Sequence, residues 1–193
     1  HVINEALKHD VHLETSSSFD IDLIHRLYSQ GKIDKKIILI HNGYKTQSYL
    51  DKIIKLREDG FENSLPVIDN RSELEYFLEH VKGPLKIGLR MAIDEEPQSA
   101  YYTSRLGIRS SELVSLVKEK LKRRKQVELT MLHFFVDTGI RDNLYYWGEF
   151  KKGLKTFAEL KKICPSLTSL NIGGGLPIRN TLGFEYDYRY MIN

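Results

Sequence analysis

The sequence predicts an α/β fold, and within that class most of a (β/α)₈ barrel. Short apolar runs alternate along the chain with longer segments in which apolar residues recur at spacings of three and four. This alternation is typical of a parallel sheet covered by helices. Polar side chains stand at the C-terminal end of each apolar run, and three consecutive glycines follow the last run.

The polar strand ends decide between two parallel-sheet architectures. A (β/α) barrel builds its active site from the C-terminal ends of several strands. A doubly wound sheet gathers its chemistry at a single switch point, so a succession of polar ends favours the barrel. The predicted strands are 10–14, 36–42, 65–69, 85–90, 127–135 and 166–172, and their polar ends are Glu14, His41 with Asn42, Asp69, Arg90, His133 and Asn171.

The segments between the strands have helical periodicity. A helix over 19–31 is predicted to end at Gly31, one over 72–83 is predicted to end at Gly83, and a further helix is predicted over 111–121. The residues predicted to face the core are Ile21, Ile24, Leu27 and Tyr28 in the first helix, and Leu74, Phe77, Leu78 and Val81 in the second.

The composition is that of a globular chain with one domain: 193 residues, of which 41% are hydrophobic and 28% charged, with a net charge of +3. Its single cysteine, Cys164, excludes an internal disulfide and favours a cytoplasmic location. No apolar run approaches the length of a membrane span. The basic run 118–125 lacks the interleaved aromatic residues of a nucleic-acid interface. We therefore expect neither a membrane nor nucleic acid as a partner.

The glycine run Gly173, Gly174 and Gly175 predicts an anion site. Successive backbone N–H groups without side chains form a concave nest for anions, and late in a barrel such a loop commonly holds phosphate. A tight turn that needs positive φ is the alternative interpretation. The glycine motifs of dinucleotide-binding and P-loop proteins are both absent from the sequence. The seven histidines lack the spacing of metal ligands, so no metal is expected.

Five short motifs follow one another along the chain: "HNGYK" (41–45), "KIGLR" (86–90), "SRLGI" (104–108), "LHFFVDTGI" (132–140) and "LNIGGGLPI" (170–178). In this order they resemble a known family. The chain is similar over almost all of its length to the fold-type III, pyridoxal-phosphate (PLP) decarboxylases of basic amino acids, which act on ornithine, diaminopimelate, carboxynorspermidine or arginine. The resemblance is greatest to bacterial arginine decarboxylases.

The resemblance implies a PLP-binding barrel followed by a β-rich domain. Residues 1–193 are expected to cover about the second to seventh barrel strands, as one partial domain of a longer polypeptide. No catalytic residue is then expected in this segment. The lysine that forms a Schiff base with PLP would precede His1, and the glutamate facing the pyridine nitrogen would follow Asn193. Lys45 matches a different position, and a loop lysine is usually solvated, so we do not expect it to replace the Schiff-base lysine.

The resemblance also implies a set of cofactor-binding residues. The glycines would bind the PLP phosphate through their N–H groups, together with the Thr138 hydroxyl. Phe135 occupies the position of a histidine that stacks on the pyridine ring, and Asp137 replaces a glycine beside it. Arg90 would lie beneath the ring. The remaining members are Glu14, Ser17 and Asp20 near the cofactor, and Arg105, which would support the site near a dimer interface.

Five of these residues also have a plain structural interpretation. Arg90 could simply pair with Glu14 or Asp69, Glu14 and Asp20 could be acids at a helix start, Thr138 a turn residue and Arg105 a surface cation.

The expected activity is decarboxylation of L-arginine to agmatine in polyamine biosynthesis, by a homodimer or higher oligomer. The same reaction on ornithine, diaminopimelate or carboxynorspermidine is the nearest alternative. An inactive regulatory relative and an unrelated phosphate-binding barrel enzyme are the others.

Overall fold

The computed structural model describes residues 2–93, 106–136, 143–174 and 189. Helices and parallel strands alternate through these residues, and a π-helical turn continues the fifth helix. The helices are α1 (Val2–Ala6), α2 (Ser18–Ser29), α3 (Gln47–Glu58), α4 (Arg71–His80), α5 (Ser110–Leu116) and α6 (Asn143–Ile163), and the π-helical turn is Val117–Leu121. The strands are β1 (Leu13–Thr15), β2 (Leu39–His41), β3 (Ser64–Ile68), β4 (Leu85–Arg90), β5 (Val127–His133) and β6 (Ser169–Asn171).

The strands form one parallel sheet in the order of the chain, β1 to β6. A doubly wound sheet would reverse this order at a switch point. The sheet is also curled, because Asn42 after β2 hydrogen-bonds to His133 of β5 at 2.9 Å. In a flat sheet those strands would stand about 14 Å apart. The predicted incomplete barrel is therefore confirmed, and each predicted strand overlaps an observed one.

The two faces of the sheet bury different sets of side chains. The outer face packs on the helices in the main apolar core, to which Leu39, Ile68 and Leu89 belong. The inner face holds a smaller cluster of Leu65, Val67 and Met131 with Ile40 beside it. Because side chains alternate between faces along a strand, polar residues in step with the inner cluster reach the barrel mouth.

The predicted helix faces are largely confirmed, with Tyr28 as the exception. Ile21, Ile24 and Leu27 are buried, but the Tyr28 side chain is 41% exposed. Tyr28 lies at the edge of the buried stripe, where its ring meets Phe61 edge to face. No described helix is long and apolar enough to cross a bilayer.

Candidate active site at the barrel mouth

The inner face carries the polar strand ends to one edge of the barrel. Ile68 of β3 pairs in register with Leu89 of β4, so the next residues, Asp69 and Arg90, are neighbours on the inner side. His133 of β5 is in register with Arg90. The predicted convergence of polar groups at the C-terminal edge is therefore observed for Asp69, Arg90 and His133.

Asn42 links three strands across this mouth. Its Nδ2 group donates to Glu14 Oε1 at 3.2 Å and to His133 Nε2 at 2.9 Å. Its Oδ1 accepts from the backbone N–H of Gly43. Since Nε2 of His133 accepts a hydrogen bond, its Nδ1 carries the proton and donates to the carbonyl oxygen of Asn171 at 3.1 Å. The chain of bonds orients Glu14 and fixes the His133 tautomer.

His133 is neutral at physiological pH. Burial lowers its pKa to about 4, and the positive charge of Arg90 acts in the same direction. A neutral imidazole with both nitrogens engaged can orient its neighbours but does not add a charge to the mouth.

His41 lies on the opposite face of the sheet, away from the mouth. Its Nδ1 hydrogen-bonds to Thr15 Oγ1 and its Nε2 to Ser64 Oγ, both at 2.6 Å. Its ring packs edge to face on Tyr49 of α3. Burial lowers the pKa of His41 to about 3, and the positive charges of Lys45 and Arg57 act in the same direction. Its contacts are those of a core histidine with satisfied hydrogen bonds.

Lys45 is buried, contrary to the expectation that a loop lysine is solvated. Its ammonium group donates to the carbonyl oxygens of Gly43 and Val67 and to Glu73 Oε2, the last at 3.1 Å. These oxygens replace the water that a loop lysine ordinarily binds, which is why burial is tolerated. An ammonium group has three N–H donors, and all of them are engaged here. This arrangement agrees with the prediction that Lys45 is not the cofactor lysine.

Glu73 ties this lysine to the end of β3. Its Oε2 also accepts the backbone N–H of Asp69 at 3.0 Å. The N–H of Glu73 donates to Asn70 Oδ1, which caps α4. The Lys45–Glu73 pair thus holds the turn from which Asp69 projects.

Asp69 and Arg90 form the charged floor of the mouth. Their closest atoms, Arg90 Nε and Asp69 Oδ1, are 3.8 Å apart, too far for a hydrogen bond. Neither carboxylate oxygen of Asp69 has a hydrogen-bond donor among the described residues. Burial raises the pKa of Asp69 to about 6, although Lys45 and Arg90 oppose the rise. Of the two partners that the sequence suggested for a structural Arg90, Asp69 is the one observed.

Ser17 and Asp20 form a helix cap. Asp20 Oδ2 accepts the backbone N–H groups of Ser16 and Ser17 at 2.8 and 2.9 Å, and also both serine hydroxyls. Partial burial would raise the pKa of Asp20, but the hydrogen bonds from Ser16 and Ser17 outweigh it and lower the pKa. These contacts match the plain interpretation of a helix-start acid, while a cofactor role for the pair rests on the resemblance alone.

The glycine loop begins directly after β6. Gly173 has φ +72°, and a Cβ there would stand 2.7 Å from Phe135 Cδ2 and 3.0 Å from the Phe134 carbonyl oxygen. Its N–H already donates to Asn171 Oδ1 at 2.8 Å. A Cβ on Gly174 would meet nothing within 4 Å. Gly173 therefore lets the chain turn against half-buried Phe135, and Gly174 leaves the backbone open.

Three other predicted site residues, Gly175, Thr138 and Arg105, and the neighbouring Asp137 lie outside the described residues. No cluster of three potential metal ligands occurs in the part of the chain that the structure describes.

Two features of the site were not predicted from the sequence. Glu73 does not stand at a strand end, so nothing marked it as a site residue. The bridging role of Asn42 was indicated only by its place after β2.

Comparison with known proteins identifies the family. Residues 1–187 match the model of the pyridoxal-dependent decarboxylases, pyridoxal binding domain. The biosynthetic arginine decarboxylase of Prochlorococcus marinus subsp. pastoris is 27% identical over 154 residues, which are 75% of this chain and 24% of that protein. The chain thus spans about a quarter of the length of the curated relatives it matches.

Solved structures share the fold. The lysine decarboxylase of Selenomonas ruminantium superposes with a TM-score of 0.77 at 18% identity, over 99% of this chain and 47% of that one. The arginine decarboxylase of Paramecium bursaria Chlorella virus gives a TM-score of 0.70 at 22% identity, over 91% of this chain and 44% of that one. With the family match, these confirm the predicted barrel and PLP as the predicted cofactor. The chain belongs to the pyridoxal-binding domain family of the pyridoxal-dependent decarboxylases.

Proposed function

We propose that this chain is the cofactor-binding barrel segment of a decarboxylase that converts L-arginine to agmatine. The observation that carries the proposal is the family match over residues 1–187, which include the whole described mouth. The polypeptide that contains this chain is called the full-length protein below. We propose that it includes a further domain, because the curated relatives are about four times longer than the matched segment.

The residues at the mouth fit a phosphorylated pyridine. Gly174 lacks a side chain in the way of a ligand and makes no hydrogen bond to a described residue. Its N–H would bind the phosphate together with the predicted donors Gly175 and Thr138. Phe135 lies against the same loop, and its ring would contact the pyridine ring by dispersion. Gly173 would shape the loop, because its own N–H is engaged by Asn171.

The cofactor supplies the electron sink that decarboxylation needs. The chain supplies position and charge. Asn42 and neutral His133 keep Glu14 oriented at the mouth. Arg90 places a positive charge at its floor. Such prearranged groups lower the barrier because they need little reorganisation during the reaction.

The lysine that binds the cofactor covalently is proposed to lie upstream of His1. Lys45 lies beside Val67 of the inner apolar cluster, and its three donors are engaged by Gly43, Val67 and Glu73. A lysine held in this way would have to break three buried hydrogen bonds before it could react.

Arginine is proposed as substrate because the curated relatives are named biosynthetic arginine decarboxylases. One viral relative of known structure is an arginine decarboxylase bound to agmatine. The lysine decarboxylase of Selenomonas ruminantium has been solved with PLP and cadaverine, so lysine joins ornithine and diaminopimelate as a substrate to compare. Dimerisation, a cytoplasmic location and a role in polyamine biosynthesis remain predictions.

The experiment starts with the visible spectrum of the full-length protein after PLP is added. Borohydride reduction then fixes the cofactor to its lysine, and peptide mapping identifies that residue. Release of carbon dioxide is compared for arginine, ornithine, lysine and diaminopimelate. We expect a label upstream of His1 and the highest kcat/KM with arginine. A label on Lys45 would contradict the assignment of the lysine.

A folded full-length protein without a chromophore would overturn the decarboxylase proposal. The inactive relative would then be favoured, since Phe135 stands where the family resemblance implies a histidine. A chromophore without release of carbon dioxide would support PLP binding and contradict the proposed decarboxylase activity.

A further inference from the structure

Asp69 breaks a general rule of buried polar groups. Its side chain is only 2% exposed, yet neither carboxylate oxygen accepts a hydrogen bond from any residue that the structure describes. Buried carboxylates are almost always bonded, because removing the charge from water without a replacement partner is unfavourable. Such exceptions are expected where function requires them.

The backbone holds Asp69 in this position. Its N–H donates to Glu73 Oε2, and the same oxygen accepts the ammonium group of Lys45. Val67, two residues earlier, lies in the inner apolar cluster. Since side chains alternate along a strand, Asp69 projects to the same inner side. The carboxylate is therefore directed into the mouth by a buried scaffold.

The polar side chains of Lys45, His133 and Asn42 have no donor left for Asp69. The three N–H groups of Lys45 are taken by three oxygens. His133 donates from Nδ1 to Asn171 and accepts at Nε2 from Asn42. Both protons of the Asn42 amide are directed to Glu14 and His133. None of these groups can approach the carboxylate without losing an existing bond.

Among the described residues of the mouth, Arg90 is the donor that remains. Its guanidinium carries five N–H groups, and it makes no hydrogen bond to a described residue. Its one charged contact within the described part of the chain is with Asp69, at 3.8 Å from Nε to Oδ1. A shift of about 1 Å would bring these atoms to the distance of a charge-assisted hydrogen bond.

We propose that Asp69 is the positioning residue for Arg90: when PLP fills the mouth, the carboxylate accepts the guanidinium and fixes it toward the cofactor. A ligand in the mouth excludes water, which strengthens the attraction between the two charges. Asp69 acts through Arg90 and does not itself contact the ligand. This inference rests on the proposed function.

The test is a double-mutant cycle in the full-length protein with Asp69→Asn, Arg90→Gln and the double variant. The PLP dissociation constant is measured by absorbance titration. With Arg90 present, Asp69→Asn is expected to weaken PLP binding about tenfold, within the usual range of coupling between neighbours. With Arg90→Gln, the same change is expected to alter binding less than about twofold. Equal losses in both backgrounds would show that Asp69 acts independently of Arg90 and would overturn the proposal.

Two further arms make the result specific. Asp22→Asn removes an exposed acid paired with Lys52 on the helix surface, and it controls for the change in net charge. If Asp69→Asn does not fold, the cycle is repeated with Asp69→Leu, which has a similar size and no charge.

The urea midpoints of the same variants are measured without cofactor, and non-additive shifts are expected. If the wild-type protein takes up no PLP, the proposed function fails, and the cofactor-free cycle still decides whether Asp69 holds Arg90. Additive midpoints in a protein that takes up no PLP would overturn the inference.

Discussion

Two aspartates near the ends of barrel strands differ in what their carboxylates can still bind. Asp20 accepts four hydrogen bonds from Ser16 and Ser17, and these outweigh burial in setting a lowered pKa. Asp69 accepts none from the described residues, and burial raises its pKa to about 6. A position near the mouth therefore does not decide whether a carboxylate can still accept a hydrogen bond. The donors that already surround it do.

The first two residues of the glycine loop show the same difference. The N–H of Gly173 is engaged by Asn171, whereas Gly174 makes no hydrogen bond to a described residue. Adjacent residues of one type thus have different tasks. Gly173 provides a backbone conformation, and Gly174 provides an open donor.

The largest expected effect comes from breaking the support beneath Asp69. Glu73→Gln removes the counter-charge of buried Lys45 and weakens the bond that holds the Asp69 N–H. Losing one partner of a buried pair is expected to lower the free energy of unfolding by about 3–5 kcal/mol. Urea unfolding of the cofactor-free, full-length protein measures the loss.

Glu75→Gln is the matched control for that change. Glu75 lies on the same helix and pairs with Lys120 at the surface, so its loss is expected to cost about 0–1 kcal/mol. Similar losses for the two variants would contradict the scaffold role of Glu73.

The second effect is a pH dependence that belongs to Asp69. Because burial raises its folded-state pKa from 3.8 to about 6, the unfolded chain releases this proton at lower pH than the folded protein does. Asp69 therefore lowers stability progressively as pH rises from about 4 to about 6, by about 3 kcal/mol in total.

The measurement is the difference in unfolding free energy between wild type and Asp69→Asn at each pH. The two buried histidines act in the opposite direction in both proteins, so their contribution cancels. We expect wild type to lose stability relative to the variant between pH 4 and 6, and the difference to stay constant above pH 7. A difference that does not change with pH would contradict the raised pKa.

The sequence was sufficient for the sheet because its signals are local. Alternation along each strand and the polar residues at its end depend on neighbours a few positions away, and they located Asp69 and Arg90 correctly at the C-terminal ends of their strands. The helix α3 was not predicted, although Tyr49, Ile53 and Leu56 have the spacing of a buried face.

The state of the site residues depends on distant contacts. Asn42 and His133 are 91 positions apart, and Lys45 and Glu73 are 28 apart. No local pattern shows that Lys45 finds three oxygens or that Asp69 finds no donor among the described residues. The sequence could name the residues at the mouth. Which of their hydrogen-bonding groups remain without a partner follows only from the packed structure.

The third effect separates the two glycines. Gly173→Ala places a methyl group 2.7 Å from Phe135 and requires φ +72° of an alanine, so we expect a loss of about 2 kcal/mol in unfolding free energy. Gly174→Ala has open space and is expected to change stability by less than about 0.5 kcal/mol.

For Gly174→Ala the expected change is in cofactor affinity. Its methyl group would occupy the space open to the phosphate, and we expect about tenfold weaker PLP binding, equal to about 1.4 kcal/mol. Absorbance titration of the full-length protein measures it. Unchanged affinity would exclude Gly174 from the phosphate site.

The smallest effect tests the cap. Asp20→Ala removes the acceptor for the N–H groups of Ser16 and Ser17 at the start of α2, which is expected to cost about 1 kcal/mol of unfolding free energy. Because the carboxylate is already engaged, PLP affinity should change less than about twofold. Asp20→Asn retains an acceptor oxygen and is expected to recover part of the stability. If instead both variants weakened PLP binding tenfold with little change in the urea midpoint, Asp20 would contact the cofactor, and the distinction between engaged and free carboxylates would fail at this position.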